Sequence, residues 1–473
     1  MNTGRIVFLR IYEPYKPVNI VPPLGIASLI TYLKERISGL NFDVYDFAIN
    51  KDVPGTVSKK YKGREPLLFG ISGMMKNYYL INQVCNLLKE SFPSVPIVVG
   101  GPVISSVKKE ILKNKNIDYA ISNEGEIPLT LLIQNITEGK NSLSSIPSLI
   151  YRKDGEVIFN PIEDAILKEE DIPLPDLNSI NLRDYFNYMG FELAGIRPYL
   201  PLITSRGCPY SCVYCHGIFG KRVRFIPENK IISYVQEFTK RYSSKEIEIY
   251  DDIFNIDEGR AKRILKGILS IDPQQKFLFP NGLRTDILSK DFIEFLGQHN
   301  TSYVSIAVES ASERIQKLIK KRLDLERLRE NVELLSKHKI ILHGYFMLGF
   351  PTETEEEVKK TITFAMGLPI HTASFFKVAP HLGTELFEMC PEDVKRQILL
   401  EALNTDNIRY YSPITNISAV KTETLNKLHK SAILSFYLRP KQALRIFKAI
   451  PDIHTLLGGL GIFTKIIFNR YKD

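Results

Sequence analysis

Gly207-Cys208-Pro209-Tyr210-Ser211-Cys212-Val213-Tyr214-Cys215 follows directly on the apolar run 201–204. The spacing is CxxxCxxC, with an aromatic residue before the last cysteine. Three thiolates are one short of the four that fill a cubane iron–sulfur cluster, so one iron keeps an open coordination position. A cluster with an open iron binds a ligand as well as carrying electrons. Two other readings use the same residues. Structural zinc takes four protein ligands, commonly as two CxxC-like pairs, and only His216 follows closely enough to suggest a fourth. A disulfide framework suits short secreted chains. This chain has five cysteines in 473 residues, with Cys85 in an apolar helical pattern and Cys390 far downstream.

Downstream of the cysteines the sequence alternates strand-like and helical segments to about residue 380. Runs at 202–205, 246–250, 276–279, 303–308, 341–347 and 374–378 read as strands, with helical patterns between them. Six strand–helix units predict a partial (β/α)6 TIM barrel, open on one side, over residues 201–385. Chemistry in such barrels sits at the carboxyl ends of the strands. Those ends carry Asp251-Asp252, Asn281-Gly282-Leu283-Arg284, Glu309-Ser310 and Gly349-Phe350-Pro351-Thr352.

Upstream, residues 141–200 hold a hairpin signal, 148–152 and 156–160 around Lys153-Asp154-Gly155, then a connector with Pro173, Pro175 and Pro198. This stretch reads as the domain boundary. Residues 1–140 alternate again, with strands expected at 5–12, 41–48, 67–72, 95–100 and 118–122. Helical patterns fall at 24–36, 78–92, 105–113 and 127–137. That rhythm gives an α/β domain with a doubly wound, Rossmann-like parallel sheet. Such sheets bind ligands at their carboxyl edge, here Ser72-Gly73, Gly100-Gly101 and Glu124-Gly125.

The cysteine run and the barrel pattern, including Tyr250-Asp251-Asp252-Ile253-Phe254 and residues 343–351, resemble the radical S-adenosylmethionine (SAM) enzymes. The resemblance implies that Cys208, Cys212 and Cys215 ligate a 4Fe–4S cluster whose open iron chelates SAM. Reductive cleavage would then give a 5′-deoxyadenosyl radical, with a flavodoxin or ferredoxin as electron donor. Against SAM, carboxylates such as Asp251, Asp252 or Glu309 can accept from the ammonium or ribose hydroxyls, and Arg284 can pair with the methionine carboxylate. The turn at Gly349 can present backbone groups to adenine, and Tyr214 can pack beside it. Pro22-Pro23-Leu24-Gly25-Ile26-Ala27, Val98-Val99-Gly100-Gly101-Pro102 and Glu124-Gly125-Glu126 resemble the cobalamin-binding domain that precedes the barrel in one branch of that superfamily. No histidine occurs before His216, so this domain offers cobalt no imidazole.

Methylthiotransferases carry a second cluster on three cysteines in their N-terminal domain, and here only Cys85 is present. Peptide-modifying relatives carry cysteine-rich C-terminal clusters, and here only Cys390 follows the barrel. The remaining branch mostly methylates unactivated carbon or phosphorus, using one SAM to methylate cobalt and a second to generate the radical. Ring contraction and oxidative ring formation are its other chemistries. A non-enzymatic alternative is an iron–sulfur redox sensor.

The net charge of +9 is partly local to the C-terminus, and no arginine-rich arm or RNA-binding motif accompanies it, so no nucleic-acid partner is expected. A small-molecule or lipid substrate is expected instead. No apolar cleavable segment opens the sequence, so a cytoplasmic protein is expected. Residues 386–473 read as a helical C-terminal region. Its segment 456–468 is apolar with basic flanks, consistent with packing on the barrel or with peripheral membrane contact.

Overall fold

The computed structural model describes residues 4–12, 20–50, 52–140, 142–188, 197–404 and 415–449. The first sheet has seven strands: β1 (Arg5–Arg10), β2 (Asn41–Asp46), β3 (Leu68–Ser72), β4 (Ile97–Gly100), β5 (Tyr119–Ile121), β6 (Leu149–Lys153) and β7 (Glu156–Phe159). Their order is β2-β1-β3-β4-β5-β6-β7, with the first five parallel and the last two antiparallel. Both faces are buried because successive side chains alternate. Val7, Leu9, Phe69, Ile71, Ile97 and Val99 enter one core, while Ile6, Phe8, Leu68 and Val98 enter the other. This is the doubly wound arrangement that the sequence pattern implies.

The hairpin assigned to the connector is instead part of this sheet. β6 pairs with β5 through Tyr119↔Tyr151 and Ile121↔Leu149, and Leu149, Ile150 and Tyr151 are buried. Pairing covers an edge that β5 would otherwise expose.

The second sheet contains β8 (Leu200–Leu202), then β11 (Glu246–Ile249), β12 (Lys276–Phe279), β13 (Thr301–Glu309), β14 (Ile341–Leu348) and β15 (Thr372–Lys377). Between them, β9 (Ser205–Arg206) and β10 (Arg224–Phe225) form a separate antiparallel pair. The six strands run parallel in sequential order, β8 at one edge and β15 at the other. It is the expected open barrel. Its first strand ends earlier than its apolar run, because Asp251 takes the Thr204 amide at 2.6 Å and draws the chain off the ladder.

The C-terminal region divides between the two sheets. Cys390, Ile398 and Ala402 join the core of the N-terminal domain, whereas Leu425, Ala432, Ile433 and Phe436 join the barrel core. The chain after β15 thus straps one domain to the other. The segment 456–468, expected on the barrel or a membrane, lies outside the described residues. No described helix is long and apolar enough to cross a membrane.

Candidate active site

The cysteine loop leaves the barrel after β9 and returns at β10. Gly207 opens it with φ 98°, and a Cβ there would stand 2.3 Å from the Arg222 carbonyl oxygen, so the close approach requires glycine. The Cys208 amide donates to Gly220 O at 3.2 Å and the Cys215 amide to Cys212 O at 3.1 Å. Between them Val213 is buried with Ile315, Ile319, Phe350 and Leu386. Its amide bonds Ile319 O at 3.1 Å and its carbonyl accepts from the Leu386 amide at 2.8 Å. The loop is therefore fixed by its backbone and one apolar peg, leaving the thiols to a ligand.

Cys208, Cys212 and Cys215 are all free thiols. Burial pushes the Cys208 thiol up, and the negative charges of Asp252, Cys215 and Cys212 add to it. Burial and neighbouring negative charge oppose ionisation of Cys208 and Cys215, so a cationic partner such as iron is what would hold them as thiolates. Among the described residues no three His, Cys, Asp or Glu side chains gather closely enough to hold one metal ion. A cubane does not need that, since each cysteine ligates a different iron. The donor set fits the cluster.

The strand ends divide into locked and open groups. Asp251 is buried and accepts from Thr204 N and Oγ1 at 2.6 Å each and from Ser205 Oγ at 2.5 Å. Its carboxylate is spent on holding the first strand's end. Asp252 turns the other way, reaches solvent and accepts from the Gly207 amide at 3.2 Å. Its charge acts on Cys208 and Cys215, and burial raises its own carboxyl, so it lies beside the cysteine loop.

Glu309 occupies the left-handed region, φ 64°, where a non-glycine residue stores strain. It accepts from Tyr214 Oη at 3.2 Å and Lys321 Nζ at 2.9 Å. Tyr214 packs its ring 6.1 Å from Phe350. Gly349, φ 99°, donates its amide to Glu353 at 2.6 Å, and Phe350 donates to the same oxygen at 3.0 Å. Burial raises the Glu353 carboxyl to about 7. Arg284 forks onto Asp286 and stacks on Tyr210.

On the first sheet's carboxyl edge, Gly101 has φ 82°, and a Cβ there would meet Ser72 Oγ at 2.5 Å. Gly73 accepts from Val103 N at 3.1 Å. A Cβ on Gly100 would meet only the Ile121 carbonyl oxygen, at 3.9 Å. A Cβ on Gly125 would stand 3.2 Å from Leu29. Beside this cradle, Asn77 is 1% exposed, and its Oδ1 and Nδ2 have no partner, nor do Ser105 Oγ and Ser106 Oγ. Buried polar atoms without partners are costly. The amide-rich periphery of cobalamin would satisfy them, so this edge fits that cofactor.

Glu124 does something else. Its carboxylate is buried and accepts from Arg206 at 2.9 Å and from both Nη atoms of Arg224. Glu126 accepts from Arg206 at 2.6 Å. Burial works against the Arg206 charge, but Glu126 and Glu124 outweigh it and hold the guanidinium above its ordinary value.

The structure therefore gathers Tyr214, Asp252, Glu309 and Gly349 round the cysteine loop. Asp251 and Glu124 are engaged by protein partners. Sequence reasoning missed Arg206, Arg224, Asp286, Lys321 and Glu353, and it quoted Glu126 within the Glu124-Gly125-Glu126 motif without giving it a role. Glu353 had a local signal, lying four residues beyond Gly349 in the strand-end turn.

Residues 202–365 match the radical SAM superfamily and residues 16–133 the B12-binding domain. An uncharacterized methyltransferase of Pyrococcus horikoshii is 30% identical over 434 residues, covering 89% of this chain and 88% of its own. The cobalamin- and cluster-bound methyltransferase TsrM of Kitasatospora setae superposes with TM-score 0.68 at 16% identity, covering 81% of this chain and 74% of its own. The cobalamin-dependent radical enzyme OxsB superposes with TM-score 0.74 at 16% identity, covering 100% and 74%.

Proposed function

The chain belongs to the radical SAM enzymes that carry an N-terminal B12-binding domain, and from that premise we propose that it transfers a methyl group to an unactivated carbon of a small-molecule or lipid substrate. The observation that carries the reading is the cysteine loop, hung between the barrel's carboxyl end and the carboxyl edge of the B12-type sheet. When bound, the cluster, SAM and cobalamin supply the radical and the methyl carrier.

The protein's part is placement. Cys208, Cys212 and Cys215 hold the cluster. Asp252 and Glu309 are positioned to accept from the ammonium and ribose of SAM, with Tyr214 and the Gly349 turn beside the adenine. Lys321 fixes Glu309, and Arg284 supports the loop through Tyr210 while offering positive charge to the methionine carboxylate. On the other side, Ser72, Gly73, Gly100 and Gly101 let a corrin approach the backbone, and Gly125 closes the edge. Asn77, Ser105 and Ser106 give its periphery hydrogen bonds.

A low-potential donor such as flavodoxin or ferredoxin would reduce the cluster. The helix Pro440–Ala449 leaves Leu444 and Phe447 55% and 65% exposed beside Lys441 and Lys448, which supports a peripheral contact with anionic membrane. The test is anaerobic reconstitution with cobalamin and methyl-labelled SAM. 5′-Deoxyadenosine and S-adenosylhomocysteine should both form, and host extract should yield a product heavier by one labelled methyl group. 5′-Deoxyadenosine without S-adenosylhomocysteine would replace methyl transfer by other radical chemistry.

A further inference from the structure

The cysteine loop is gripped at both ends by the domain that does not carry it. Arg206 and Arg224 face each other across the β9–β10 pair, bracketing the loop. Arg206 reaches Glu124 at 2.9 Å and Glu126 at 2.6 Å, and Arg224 forks onto both oxygens of Glu124. Halfway round, Asn123 Nδ2 donates to Ile218 O at 3.0 Å. These anchors come from residues 123–126, at the carboxyl end of β5, and Arg224 also donates to Leu167 O of the connector at 2.9 Å. The carboxyl end of β5 is the edge where Gly101 and the unpartnered Asn77 also lie.

The four charged side chains are each at most 7% exposed, two positive and two negative. A buried ionic cluster is no stronger than an apolar interface of similar volume. What it adds is direction, because a guanidinium–carboxylate fork fixes both separation and angle. A purely adhesive interface would not need forks aimed at the two residues that flank the cysteines.

We propose that Glu124 is a positioning residue that sets the separation between the cluster loop and the cobalamin-binding edge. The inference rests on the cobalamin-dependent reading above. SAM cleavage needs only the loop and the barrel mouth. Methyl transfer needs the two cofactor sites in register, so it alone depends on Glu124.

Glu124→Asp keeps the charge but withdraws the carboxylate by one methylene, and Arg224→Lys keeps the charge but removes the fork. The full chain, reconstituted with cluster and cobalamin, is read in three ways. Cluster absorbance and 5′-deoxyadenosine formation should persist in both variants. The relaxation enhancement of the cob(II)alamin electron paramagnetic resonance signal by the reduced cluster, which varies with their distance, should change. The ratio of S-adenosylhomocysteine to 5′-deoxyadenosine should fall at least tenfold. In the cofactor-free chain, amide hydrogen exchange should rise across 207–222 and stay unchanged in the helix Tyr78–Ser91.

Unchanged exchange, spin interaction and product ratio in both variants would overturn the proposal. So would loss of protection throughout the N-terminal domain together with the cluster, which would make Glu124 ordinary structural support. If the wild-type chain takes up no cobalamin, the functional reading falls, while the exchange measurement still decides whether Glu124 holds the loop.

Discussion

Arg284 lies over Tyr210, its guanidinium carbon 3.7 Å from the ring centroid, while Nε and Nη2 meet Asp286 at 3.1 and 3.3 Å. Tyr210 stands between the first two cysteines, so one side chain links the third barrel strand's end to the cluster loop. Stacking and forking together are guanidinium properties that lysine lacks. Arg284→Lys and Arg284→Ala should both weaken SAM binding, by about tenfold to a hundredfold if a charge-assisted contact of ~1.5–3 kcal/mol is lost. Calorimetric titration of SAM into protein with intact cluster absorbance checks this. An unchanged Kd would leave Arg284 as a prop for Tyr210 alone.

Replacing Cys208, Cys212 or Cys215 by alanine should abolish the visible absorption of the reconstituted cluster and SAM cleavage together. Cys85 and Cys390 are buried in the core of the N-terminal domain, and their alanine variants should keep the cluster. A Cys212→Ala chain that still made 5′-deoxyadenosine would defeat the assignment.

The cysteine spacing was legible because it is local, and the two sheets because strands buried on both faces read as short continuous apolar runs. The parity that separates Asp251 from Asp252 was also readable. Ile247 and Ile249 face the helices, and Asp251 continues that side, which leaves Asp252 toward the loop. The short helix Val53–Tyr61 was missed, although Asp52 caps it and Val53, Val57 and Tyr61 form its buried row. The Arg206–Glu124–Arg224 contact had no sequence signal, since charged residues at separations of 82 and 100 positions read as surface until the fold joins them. The split of the C-terminal region was hidden for the same reason: Ile398 and Leu425 lie in two amphipathic helices, Glu392–Asn404 and Thr422–Tyr437, that look alike in sequence but bury against different domains.

Glu353 gives the fold a pH signature. Burial raises its carboxyl from an ordinary 4.5 to about 7, so across that interval the folded protein holds a proton that the unfolded chain has released. Stability from this group is therefore greatest below about 4.5 and is lost as pH rises through about 7. Glu353→Gln can still accept from the Gly349 and Phe350 amides without titrating. Urea unfolding at pH 5, 6, 7 and 8 should show the variant gaining on wild type at each step. A constant difference across the series would remove Glu353 as the source.

Cobalamin bound at the first sheet's edge should lack protein nitrogen on cobalt, because no histidine precedes His216. The cob(II)alamin form should then show an electron paramagnetic resonance spectrum without axial-nitrogen superhyperfine splitting. The polar atoms waiting there add a second measurement. Asn77→Ala and Ser105→Ala each delete a hydrogen-bonding partner for the cofactor's periphery, and each should raise the cobalamin Kd by roughly fivefold to a hundredfold, the span of ~1–3 kcal/mol. The second domain brings two imidazoles toward this edge: His381, two residues before Gly383, whose Cβ would meet the Ser105 carbonyl oxygen at 2.5 Å, and His216, its ring 6.2 Å from that of His381. A nitrogen-split spectrum that disappears in His381→Ala or His216→Ala would therefore assign the ligand across the domain boundary and overturn the histidine-free mode. A split that survives both His381→Ala and His216→Ala would trace to the cofactor's own base, which keeps protein nitrogen off cobalt but defeats the displaced-base form predicted here. Only an unsplit spectrum, with weakened uptake in the Asn77 and Ser105 variants, places the corrin over this edge with its lower face free of imidazole.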